Sequence, residues 1–131
     1  MNFNTGLPRF NIIAFRLALF AALIAITHLA TTQLHYPLVA NIPDKLGHIL
    51  AFYVLALLAD FSFPNNGFGL SKLFPLLGYG LVIEVIQYHL SYRTFSLLDV
   101  TADAIGLVLY GFSLLALRYV PLLRRRWNVE V

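Results

Sequence analysis

The sequence contains no cysteine, which excludes a disulfide framework, a thiolate metal site and a thiol nucleophile. Charge is nearly as scarce. Asp, Glu, Lys and Arg make up 11% of the 131 residues and hydrophobic residues 60%, against about a quarter charged and roughly half apolar in an ordinary globular domain. With a mean hydropathy of +0.77, the chain lacks the polar surface that water requires. It also lacks internal repeats, low-complexity segments and paired-histidine spacing, and no cofactor-binding motif is recognised. The length allows a single domain.

What the chain does have is four apolar runs, each close to the roughly 20 residues that a hydrocarbon core of about 30 Å demands of a helix. They cover about 12–31, 46–63, 73–90 and 101–120. The first ends in His28-Leu29-Ala30-Thr31, without the small-residue pattern of a cleavage site and long for a signal core, so a retained helix is predicted. Pro64-Asn65-Asn66-Gly67 closes the second with turn chemistry that cannot continue a helix. Barrel strands would alternate lipid-facing and lumen-facing residues, and Leu17-Ala18-Leu19-Phe20-Ala21-Ala22-Leu23-Ile24 does not alternate. The expected fold is all-α, a four-transmembrane-helix bundle.

Lysine and arginine collect on cytoplasmic flanks. Of the nine basic residues, Arg9, Arg16, Lys72, Arg118, Arg124, Arg125 and Arg126 fall on one side of these spans and only Lys45 and Arg93 on the other. Both termini are therefore predicted to be cytoplasmic, in a multi-pass inner-membrane protein. The net charge of +3 reads as a topology signal with no nucleic-acid partner, and the arginine cluster as an anchor to anionic lipid heads.

Four of the six acidic residues then fall near the outer helix ends. Asp44 and His48 share a face of the second span, with Lys45 beside them. Glu84, Gln87 and Tyr88 share a face of the third, Arg93 follows in the external loop, and Asp99 and Asp103 share a face of the fourth. Helix capping by Asp44 and Asp99, or snorkelling by Lys45 and Arg93, would explain those residues individually. Glu84 and Asp103 demand more, because an unpaired ionised carboxylate in mid-span costs at least about 2.5–3.5 kcal/mol. The expectation is one shared site bordered by Asp44, His48, Glu84, Gln87, Arg93 and Asp99, with Asp103 deeper. Asp44, His48, Glu84 and Asp99 are its candidate acid or base groups; Lys45, Gln87, Arg93 and Asp103 are candidates for binding a substrate, the two cations as a clamp for phosphate or carboxylate. A metal site built from Asp44, His48, Glu84 and Asp99 is not predicted, since no paired-histidine signature supports it.

Elsewhere ordinary roles suffice. His28, His35 and His89 read as interfacial anchors, Asp60 as a partner of Lys72 or water, and Tyr79, Tyr88, Tyr92, Tyr110, Tyr119 and Trp127 mostly as aromatic belts. Gly78, Gly80, Gly106 and Gly111 read as points of close helix contact.

Asp44-Lys45-Leu46-Gly47-His48, Glu84-Val85-Ile86-Gln87, Arg93, Asp99 and Gly106, in this order, resemble the motif set of the VanZ-like family over roughly half the chain. The family commonly has asparagine where Asp103 stands and glycine where Tyr110 stands, with Gly111 one place later. The resemblance implies a bacterial envelope protein of four or five helices, some of whose relatives are linked to glycopeptide-antibiotic resistance. It implies no particular reaction. Three functions follow from the residues: an enzyme or binder acting on a lipid-linked glycan or phosphate intermediate of the envelope, a structural subunit docking another membrane protein, or a carrier. Carrier sites usually lie at the midplane between broken helices, whereas these groups gather at one face.

Overall fold

The computed structural model describes residues 9–34, 36–64, 67–117 and 119. His35, Arg118, the Arg124-Arg125-Arg126 cluster, Trp127 and Glu130 lie outside the described residues. Five helices follow in order: α1 (Arg9–Thr31), the short α2 (Pro37–Ala40), α3 (Asp44–Ser62), α4 (Leu70–Tyr88) and α5 (Leu97–Leu117), with no strand among the described residues. All but α2 are long and apolar enough to cross a membrane. They correspond to the four expected spans, with ends shifted by a few residues.

The long helices run up and down. Arg93, just after α4, bonds the Leu29 carbonyl near the end of α1, Lys45 at the start of α3 bonds Asp99 at the start of α5, and Glu84 near the end of α4 accepts the Ser96 N–H ahead of α5. At the opposite end Arg16 of α1 reaches the Ser62 carbonyl of α3. α3 is the central helix, packed most extensively on α5 and next on α1. Its crossing with α5 is close because of Gly106: a Cβ there would lie 3.1 Å from the Tyr53 backbone nitrogen and closer still to the Ile49 carbonyl oxygen. Phe52, Leu55, Ala56, Leu76, Leu107 and Leu114 fill the core around that crossing. α1 has no buried residue and lies at the periphery. Gly80 fulfils the close-contact expectation too, against Phe52 and Asp103, but a Cβ at Gly78 would meet nothing within 4 Å.

The end of α3 opposite the acidic layer is closed by its own polar cluster. Lys72 Nζ donates to Asp60 Oδ1 at 2.8 Å and to the carbonyls of Asp60 and Phe63. Arg16 Nε donates to the Ser62 carbonyl at 3.0 Å, and its guanidinium stands over the Phe63 ring. Two cations thus face the negative end of the helix, where they satisfy carbonyls that have no intrahelical donor. Tyr110 departs from the belt expectation. It is fully buried, stacks edge-on with Tyr53 and Phe68 and donates to Asp60 Oδ2 at 2.6 Å. The reason is that a buried carboxylate needs a donor for each oxygen, which a lipid-facing tyrosine would not supply. Tyr79 is likewise turned inward, joined to Thr27 Oγ1 at 2.7 Å and donating to the Leu23 carbonyl. Tyr88, Tyr92 and Tyr119 are exposed, as belt residues are.

Candidate functional site

α3 begins at Asp44 immediately after Pro43, and its opening turns carry Asp44, Lys45 and His48 toward the start of α5. α5 begins two residues ahead of Asp99. Asp99 is therefore a first-turn residue and not an N-cap, because the helix already starts at Leu97. Its buried carboxylate instead accepts a hydrogen bond from Lys45 Nζ, which also lies 3.6 Å from Asp44 Oδ2. One turn deeper, His48 Nδ1 is 2.8 Å from Asp103 Oδ1, and its Nε2 is 3.7 Å from Asp99 Oδ2. Asp103 is almost wholly buried, with Oδ2 over Gly80, where a Cβ would approach to 2.7 Å.

Glu84 enters this layer from α4. It is fully buried, and its Oε2 accepts the Ser96 backbone N–H at 3.1 Å, so it satisfies a free donor at the start of α5. Glu84 Oε1 is buried with no hydrogen-bond partner among the described residues.

Gln87 and Arg93 have a different engagement. Arg93 Nη2 donates to the carbonyls of Leu29 at 3.1 Å and Thr32 at 3.0 Å. Gln87 Nε2 donates to Ala30 at 2.9 Å, and Tyr92 Oη to Thr31. Three side chains from the end of α4 and the loop after it thus cap the last carbonyls of α1. The guanidinium expected to clamp a ligand anion is occupied here with backbone oxygens. Tyr92 is exposed as a belt residue is and in addition serves as a cap; its place beside Arg93 is the available signal, but carbonyl acceptors carry no mark in a sequence.

Between α1, α3 and α4 lies a cavity of about 460 Å³. Asp44, His48, Gln87, Arg93 and Asp103 supply its polar lining, and residues such as Ile26, Leu29, Phe52 and Ile83 its apolar wall. Lys45, Glu84 and Asp99 are not among the lining residues. The expected set is thus brought to one end of the bundle and divided into a cavity wall and a buried layer. Tyr36, which sequence reasoning passed over, joins the lining and bonds His28 Nε2 at 2.8 Å. His28 and His89 are exposed.

Comparison with protein-family models, curated proteins and solved structures found no match.

Proposed function

We propose that this chain is a VanZ-like protein of the bacterial inner membrane, with both termini cytoplasmic, whose cavity binds or processes a lipid-linked intermediate of the cell envelope at the outer face. The observation that carries this reading is the make-up of the cavity. An apolar wall spanning three helices meets His48, whose imidazole is fixed by a buried aspartate, and an amphiphile has the matching division into tail and polar head. In this reading Asp44, His48 and Asp103 face the head group, while Lys45, Glu84 and Asp99 set the charge behind them.

A non-catalytic partner subunit is the second reading. It is favoured by the internal engagement of Arg93, Gln87 and Lys45, which hold parts of this chain together. Mass spectrometry of the protein extracted from native membranes separates the two. The expected result is a co-purified amphiphile that is lost when Ala51→Phe fills the cavity and retained in Leu115→Phe, a change on the exposed face of α5. Recovery of no such molecule, or its equal recovery from Ala51→Phe, would leave only the partner reading.

A further inference from the structure

We propose that Asp44, His48 and Asp99 form a binding site for a divalent transition cation of the zinc or manganese class, in a position that the Lys45 ammonium takes in this structure. The geometry comes first. One ligand atom from each of the three residues, drawn from two helices, lies within 4.8 Å of the others. The imidazole is oriented as a ligand: Nδ1 is held by Asp103 at 2.8 Å, which leaves Nε2 on the side of Asp99, 3.7 Å from Oδ2. Metal-bound histidines are held in this way, with a carboxylate on the nitrogen that does not face the metal.

The position already holds a cation. Lys45 Nζ bonds Asp99 and lies 3.6 Å from Asp44 Oδ2, so two of the three ligands surround an ammonium. Lys45 is half-exposed on a flexible stem, with a relative side-chain exposure of 46%, and can withdraw toward solvent without disturbing the packing.

An independent observation is Glu84. Its carboxylate is fully buried, and among the described residues Oε2 has a donor, the Ser96 backbone N–H, while Oε1 has none. Asp44, Glu84, Asp99 and Asp103 gather at this end, and a divalent charge beside Asp99 stabilises the ionised form of the carboxyl groups nearest to it. Two carboxylates and an imidazole suit zinc or manganese, whereas magnesium prefers oxygen ligands alone. Asp44 and His48 line the cavity, which gives the ion a route. The inference does not depend on which amphiphile the cavity takes.

The test is calorimetric titration of the purified full chain with zinc and manganese salts alone, with manganese binding checked by electron paramagnetic resonance. One ion per chain is expected. His48→Gln and Asp99→Asn should each weaken binding, and His28→Gln should leave it unchanged. Lys45→Met should tighten it about tenfold, because a like charge at contact distance is removed. Since losing Lys45 leaves a buried carboxylate without its cation, Asp103→Asn is the second variant. It retains an acceptor for the imidazole but makes it a poorer ligand, and should lower affinity about tenfold or more. Absence of saturable binding in wild type would overturn the proposal, as would affinity unaltered by the His48, Asp99 and Asp103 changes, or magnesium binding as tightly as manganese.

Discussion

Replacing Arg93 by alanine tests what holds α1 to the bundle. The guanidinium makes two hydrogen bonds to α1 carbonyls, at 3.1 and 3.0 Å. Bonds to a charged donor contribute about 1.5–3 kcal/mol each in water-soluble proteins, but double-mutant measurements in membrane helices average only about 0.6 and reach about 1.7. Two such bonds, with the favourable placement of a cation at a helix C-terminus worth about 0.3–1 kcal/mol, give an expected loss of about 2–4 kcal/mol. α1 has no buried residue, so the loss should be local, loosening the end of α1 before α3 and α5 separate. Gln87→Ala, which removes one neutral bond, should cost about 1 kcal/mol or less. Arg93→Lys should recover the charge contribution but not the paired bonds. The assay is thermal unfolding in detergent, with hydrogen exchange over residues 29–34 resolved by mass spectrometry. Unchanged exchange in Arg93→Ala, or a loss no larger than that of Gln87→Ala, would refute the capping argument.

Three further outcomes are expected. Gly106→Ala should cost about 1–3 kcal/mol or more, as overpacking does, because the added methyl meets the α3 backbone; Gly78→Ala, with open space around it, should be neutral or stabilising by up to about 1 kcal/mol, and equal melting temperatures for the two would refute the close crossing. Tyr110→Phe should destabilise by about 1–2 kcal/mol through loss of one donor to the buried Asp60 carboxylate, measured by thermal unfolding; an unchanged midpoint would count against it. Single cysteines at Asn41 and Ser91 should react with an impermeant thiol reagent on intact cells and those at Asn66 and Asn128 should not, and the reverse pattern would invert the proposed topology.

The four long helices were legible because hydrocarbon sets their length and composition irrespective of how they pack. The gathering of Asp44, His48, Glu84, Asp99 and Asp103 at one end was legible for a related reason: antiparallel helices of matched length return equivalent depths to the same layer. Pairings within the layer were not. Lys45 could equally have snorkelled, and only the α3–α5 crossing at Gly106 brings it to Asp99. The bonds of Arg93 to α1 were not legible, since its partners are carbonyls 61 and 64 residues away, and every residue has a carbonyl. Tyr110 stands midway along the predicted 101–120 span, a position that suits burial better than an interfacial belt, and its burial follows from facing Asp60 across the helix crossing.

The two polar clusters differ in a way that assigns their roles. In the cluster around Asp60, the two carboxylate oxygens take Lys72 and Tyr110, and the Lys72 ammonium also serves two carbonyls. Such a cluster can hold helices in register, and Asp60, Lys72 and Tyr110 are all buried. At the other end Asp44 keeps a relative side-chain exposure of 72%, His48 and Asp103 reach a cavity wall, and Glu84 Oε1 is buried without a donor among the described residues. An unpaired buried polar atom costs about 1–3 kcal/mol, a penalty that packing alone gives no reason to retain. A buried polar atom of this kind calls for a specific explanation, and the proposed site beside Asp99 offers one that the cluster around Asp60 does not require.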